Sequence, residues 1–229
     1  SSDLVVVGCA GGPVVKVNVP IRKVPADHKK EYYAIKITGL RGGHSGEDIH
    51  RGRANANKLL IRVLRALEEN VRFDLSDITG GLKYNAIPRN AEAVIGIEKE
   101  DKAAVDAVIE RFSGIFADEY RVNDPGITLE AVPQETADHI LDEASSRRVL
   151  DYIDFTETGI IRRDQDYPQF VESFVSLGTI SIKNDSAEIW IMTRSSKESQ
   201  HRAMFQRIIS LTKAYDGIYE VMSDCPAWE

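Results

Sequence analysis

The hydrophobic period changes along residues 31–132 in an order that few folds accommodate. Tyr33, Ile35 and Ile37 alternate with Lys36 and Thr38, the period-two pattern of a strand with one face buried. Ala56, Leu59, Leu60, Val63, Leu64 and Leu67 then recur at three and four positions, one apolar face of a helix over residues 55–67. Residues 71–79 read as a strand with broken alternation, and Gly80-Gly81 turns the chain. Residues 85–98 are strand-like again, with Ala91, Ala93, Ile95 and Ile97 on one side and Pro88 confining the start to an edge or bulge. Val105, Val108, Ile109, Phe112 and Phe116 make a second helical face over residues 101–120, and residues 127–132 supply a last strand. Strand, helix, strand, strand, helix, strand is the ferredoxin-like order, which predicts an α+β fold: an antiparallel sheet with helices on one face.

The rest of the chain echoes this order in part. A helix is expected over residues 136–152, carrying Ile140, Leu141, Ala144 and Leu150. A hairpin of residues 172–182 and 188–193 follows across Lys183-Asn184-Asp185-Ser186. A helix over residues 196–214, with Met204, Phe205, Ile208 and Ile209, and a strand over residues 218–222 complete a second, similar half. Near the start, residues 4–7 and then Val15, Val17, Val19 and Ile21 read as strands separated by Gly11-Gly12-Pro13. Residues 155–167, mostly polar and containing Gly159, are the most loop-like.

Composition removes several function classes. The net charge of −7, with basic residues scattered, leaves no footprint for a nucleic-acid backbone. No apolar run approaches the ~20 residues of a membrane span, and the first residues lack the basic start and apolar core of a signal peptide. Cys9 and Cys225 lie far apart without metal-type spacing, which favours a reducing, cytoplasmic setting. Neither a nucleic-acid nor a membrane partner is expected.

The densest packet is the loop between the first strand and first helix of residues 31–132. Gly39, Gly42, Gly43 and Gly46 surround His44 there. Glycines permit backbone angles closed to other residues and let another group approach closely. A serine nucleophile elbow requires Gly-x-Ser-x-Gly, and Gly43-His44-Ser45-Gly46-Glu47 lacks the final glycine. A zinc pair of His44 and His50 has no third His or Cys nearby. A functional histidine and a merely structural glycine-rich turn both fit the local pattern.

Resemblance adds to that reading. Gly42-Gly43-His44-Ser45-Gly46 followed by Asn55-Ala56-Asn57-Lys58-Leu59-Leu60 resembles the lid domain of the two-zinc dipeptidases, most closely the aminoacyl-histidine (Xaa-His) dipeptidases. Gly8-Cys9-Ala10-Gly11-Gly12, Tyr84-Asn85-Ala86-Ile87-Pro88-Arg89, Val171-Glu172-Ser173 through Leu177-Gly178, and Met192-Thr193-Arg194-Ser195-Ser196 are similar to the same family in its order. Tyr84 stands where an arginine is usual, and Thr193 is also a departure.

The resemblance implies that residues 1–229 are a lid and dimerisation domain of a larger, homodimeric, cytoplasmic peptidase. Residues 31–132 would be the ferredoxin-like half and 133–223 the second half, with 1–30 and 218–229 connecting to a separate catalytic domain. That domain would hold two zinc ions and hydrolyse short peptides such as Xaa-His; this chain, with no His-x-Asp or other metal-ligand set, would be inactive alone. His44 resembles the lid histidine that reaches a partner's active site and stabilises the developing oxyanion. Asn85 would bind the substrate backbone, and Arg194 would clamp the substrate carboxylate. The alternative is a regulatory ferredoxin-like module that binds a small molecule without catalysis.

Overall fold

The computed structural model describes residues 10–225. The expected strand at residues 4–7 lies outside them. In chain order, β1 (Gly12–Pro20), β2 (Lys23–Pro25), β3 (Glu31–Thr38) and β4 (Gly43–His44) precede a one-turn α1 (Ser45–Asp48) and a long α2 (Ala56–Glu68). β5 (Asp74–Gly80), β6 (Ala86–Ile87), β7 (Ala91–Ile97), α3 (Lys102–Glu119) and β8 (Thr128–Gln134) follow. The remainder is β9 (His139–Leu141), α4 (Glu143–Phe155), β10 (Gly159–Arg163), β11 (Val171–Ile182), β12 (Ser186–Ser195), α5 (Glu198–Ala214) and β13 (Ile218–Cys225).

The main sheet has nine strands in the order β13-β1-β12-β11-β5-β7-β3-β8, with β10 pairing the other end of β11's outer edge. Every pairing is antiparallel. The first half, β3-α2-β5-β7-α3-β8, has the expected element order. The second half repeats that order only when β1 is counted as its first strand: β1-α4-β11-β12-α5-β13. Each half then shows the same strand arrangement, so the sheet is two ferredoxin-like units meeting edge to edge at β5 and β11. The expectation that residues 1–30 merely connect is corrected for β1, which is a central strand of the second half because Val15, Val17 and Val19 are fully buried. β1 pairs with β12 on one side and β13 on the other.

Two further expectations change. Residues 136–152 are not one helix: His139–Leu141 form β9, which pairs with β2, and α4 starts only after Asp142. Asp142 accepts the Ser145 N–H at 2.8 Å, an N-cap that fixes where the helix begins. Residues 155–167 are not wholly loop, since β10 occupies the edge of β11 that β5 leaves open.

The helices form one layer, α3-α2-α4-α5, against one sheet face. Ile35 and Ile37 of β3 meet Leu60, Val63, Leu64 and Leu67 of α2 in that core. Burying each such side chain contributes about 1.5–3 kcal/mol. The core runs on into the second half, and polar contacts are added at the seam between the halves. Asn55 caps α2 and donates its Nδ2 to the Leu177 carbonyl at 2.8 Å; Asn57 Nδ2 donates to the Gly178 carbonyl at 3.0 Å. Lys58 Nζ donates to the carbonyls of Ile153, Asp154 and Thr156, closing the C-terminal turn of α4. Burial pushes the Lys58 ammonium down from its ordinary value, with Asp154 opposing. Arg65 of α2 adds ion pairs to Asp151 and Asp154 of α4.

Lys58→Met keeps the stem and removes the donor of three carbonyls. We expect stability to fall by about 1–3 kcal/mol in urea denaturation; a loss of only a few tenths would show that water replaces the ammonium without cost.

Asp142 titrates at about 2, held down by hydrogen bonds from Ser145 and then by Arg22. Its folded value is depressed, so its contribution is complete above the ordinary carboxylate value and disappears as pH falls from about 3.8 toward about 2. Stability measured across that window should fall less for Asp142→Asn than for the parent chain. Identical slopes would contradict the cap.

Candidate functional site

The face of the sheet opposite the helices carries the residues singled out from the sequence. On the second half this face is apolar at one end, where Val14, Phe174 and Met192 form a small cluster bordered by Ile49, Val171 and Trp190. Two segments of the first half lie against it, residues 41–54 with His44 and residues 82–88 with Asn85.

Residues 41–54 leave β3 after Gly39, whose φ is 81°. A side chain there would collide with the Gly126 carbonyl, so glycine is required where the loop stem passes the start of β8. Within the loop, β4 pairs with β6, setting His44 opposite Ala86. The Ser45 N–H donates to the Asn85 carbonyl at 3.0 Å. His44 and Asn85 are therefore neighbours in one subunit, joined by backbone rather than by side chains.

His44 is exposed and N-caps α1, its Nδ1 accepting the Glu47 N–H at 3.3 Å. An imidazole whose Nδ1 accepts carries its proton on Nε2, so the outer nitrogen is a donor. Asp48 Oδ2 accepts the His44 backbone N–H at 3.0 Å, and Arg51 and Arg53 pair with the same carboxylate. The ring thus presents an N–H to solvent from a fixed backbone.

Asn85 is half-buried, and its side-chain amide bonds to none of the described residues. Its place is fixed by Tyr84, which stacks on Trp190 of β12 with ring centroids 5.6 Å apart. Tyr84 crosses β11 where the register shifts between Leu177 and Ile180. A Cβ on Gly178 would lie 2.7 Å from the Tyr84 carbonyl oxygen, so only glycine admits this crossing. Tyr84 thus has a packing role of its own, the stack on Trp190.

Arg194 lies opposite Phe174 in the β11–β12 register, and therefore on the same face. Its guanidinium donates to the carbonyls of Gly12 and Thr193. It forms no ion pair among the described residues, which leaves a half-buried cation available to an anion. Phe174 stands between Arg194 and the His44 loop, its ring tip reaching toward Gly46. His44, Asn85 and Arg194 all come to one face. His50 is exposed within the same loop, and His28 and His139 are exposed elsewhere.

Sequence reasoning missed Asp124. It is 1% exposed and accepts the N–H groups of Arg41 and Ala54, the two ends of the His44 loop, each at 2.7 Å. Asp-Pro-Gly at residues 124–126 signals a turn and hides this role. Among the described residues no three His, Cys, Asp or Glu side chains are grouped to hold a metal ion, so they do not fit a zinc site. An apolar cleft of about 520 Å³, between α5 and Phe155, lies away from His44, Asn85 and Arg194 and touches none of them.

Residues 35–124 match the family model described as a peptidase dimerisation domain. The chain is 29% identical over 225 residues to the cytosol non-specific dipeptidase of Escherichia coli (strain K12), covering 97% of this chain and 46% of that protein. The crystal structure of aminoacylhistidine dipeptidase from Vibrio alginolyticus superposes with a TM-score of 0.93 at 24% identity, again over 97% of this chain and 46% of that one. The chain thus spans about half the length of the dipeptidases it matches. Residues 35–124 resemble a peptidase dimerisation domain, set in a chain that shares its fold with about half of an aminoacylhistidine dipeptidase.

Proposed function

We propose that this chain is the substrate-covering lid and dimerisation region of a cytoplasmic, zinc-dependent dipeptidase that hydrolyses short peptides such as Xaa-His. The observation that carries the reading is the exposed Nε2–H of His44, held by Glu47 and Asp48 on the same face as Asn85 and Arg194. Metal chemistry belongs to a catalytic domain outside these residues. The described ends support an insertion into that domain, because Gly12 and Cys225 are paired neighbours in β1 and β13.

Each residue has a task suited to its chemistry. The His44 N–H donates to oxygen as negative charge develops on the peptide carbonyl, where one such donor contributes about 3 kcal/mol. The free Asn85 amide binds substrate backbone. Arg194 offers a planar fork to a terminal carboxylate, a bidentate contact that also selects for it. In the homodimer, His44 would serve the partner's cleft. The fold favours a second reading, because the other half of the same chain already lies edge to edge with the half that carries His44. His44 would then act in its own subunit.

His44→Ala in the full-length protein should lower kcat about 10²-fold with the fold intact. Unchanged turnover would remove the oxyanion role. Mixing His44→Ala subunits with subunits inactivated in the catalytic domain separates the two readings. Recovered activity in the mixed dimer means action across subunits, and none means action within one. Arg194→Ala should raise KM for dipeptides with a free carboxylate far more than for their amides; equal effects would place Arg194 outside the substrate site.

A further inference from the structure

His44 is fixed within its loop by Glu47 and Asp48, but those bonds do not fix the loop to the body of the fold. The stems do that. The N–H groups of Arg41 and Ala54 converge on the two oxygens of one carboxylate, Asp124, each at 2.7 Å. Asp124 is 1% exposed and has no ion pair among the described residues, so these N–H groups meet its charge. Its own N–H bonds the Tyr120 carbonyl at 2.9 Å, which ties the carboxylate to the last turn of α3. Its neighbours hold the same loop: Asn123 Nδ2 donates to the Gly52 carbonyl at 3.0 Å, and the Val122 carbonyl accepts from the Arg41 guanidinium at 3.4 Å.

The geometry points to Asp124 as the positioning residue of His44, a buried clasp that sets where the imidazole stands over the open face. This rests on the reading of His44 as a substrate-facing donor. Asp124 touches no substrate and acts only through the loop. The carboxylate suits the task because it offers two acceptors and no donor, whereas an amide of the same shape must turn its NH₂ toward Arg41 or Ala54 and so set donor against donor. A catalytic group displaced by about 1 Å loses on the order of 10²-fold in rate, so a loosened stem should register in turnover before it registers in binding.

The test is a double-mutant cycle in the full-length enzyme with a dipeptide substrate. Asp124→Asn should lower kcat at least about tenfold with KM changed less than about twofold, and should cause no further loss in a His44→Ala background. Asp124→Glu, which keeps charge and acceptors, should recover part of the loss. Equal losses in both backgrounds would mean a general structural role and overturn the proposal. Unchanged kcat in folded Asp124→Asn, with His44→Ala still impaired, would overturn the clasp alone and leave the His44 reading standing. If His44→Ala is itself without effect, both fall together. Should Asp124→Asn fail to fold, Asn123→Ala, which removes only the exposed bond to Gly52, carries the test. A several-fold fall in kcat that vanishes in the His44→Ala background supports the clasp, and no fall overturns it.

Discussion

Two sheet edges meet where β5 and β11 pair, and the remainder of the molecule depends on that junction holding. A β-bulge at Gly178 and Thr179 interrupts the β11–β12 ladder. Bulged backbone carries groups that the ladder no longer satisfies, and burying them unpaired is costly. The Asn55 and Asn57 amides reach the Leu177 and Gly178 carbonyls, so the start of α2 supplies what the sheet lacks. Lys58 does the same for the end of α4. One short run therefore caps its own helix, completes a bulge in the other half and closes that half's helix. The Asn-Ala-Asn-Lys motif has this structural work whatever the loop before it does.

The open face shows a different use of polar groups. Asp48 and Asp124 both accept backbone N–H groups near His44, but Asp48 orders the loop internally while Asp124 ties it to α3. Neither depends on substrate. The loop is thus organised in advance, so an acceptor meeting its exposed donor would demand little further ordering. Tyr84 stacked on Trp190 performs the same service for Asn85.

Much of the fold was legible because its signals are local. The period-two face of β3 and the three-and-four spacing of α2 stand as read, and so does the hairpin of β11 and β12. What failed was local ambiguity or distant pairing. Ile140 and Leu141 fit a helix face or a strand equally well; the deciding mark was Asp142 followed by Ser145, a cap that was there to be read. β10 became a strand because β11 had an open edge, which no residue in Ile160-Ile161-Arg162-Arg163 announces. Of the site, His44 stood out through its glycines. Asp124 did not, since a carboxylate that closes a loop and one that begins a turn are written with the same letter.

The position of β1 has a consequence for how the chain assembles. Its partners, β12 and β13, lie beyond the whole of the first half. The strands and helices of residues 31–134 can complete their own sheet from contacts within that segment, whereas the second sheet has no central strand until its last elements return to the first. Loop-closure entropy rises only by about 0.6 kcal/mol per doubling of length, so the nesting costs little at equilibrium. Rate is governed by sequence separation more than by such totals. The half bearing His44 is therefore expected to form first, with β11 docking onto its edge afterwards.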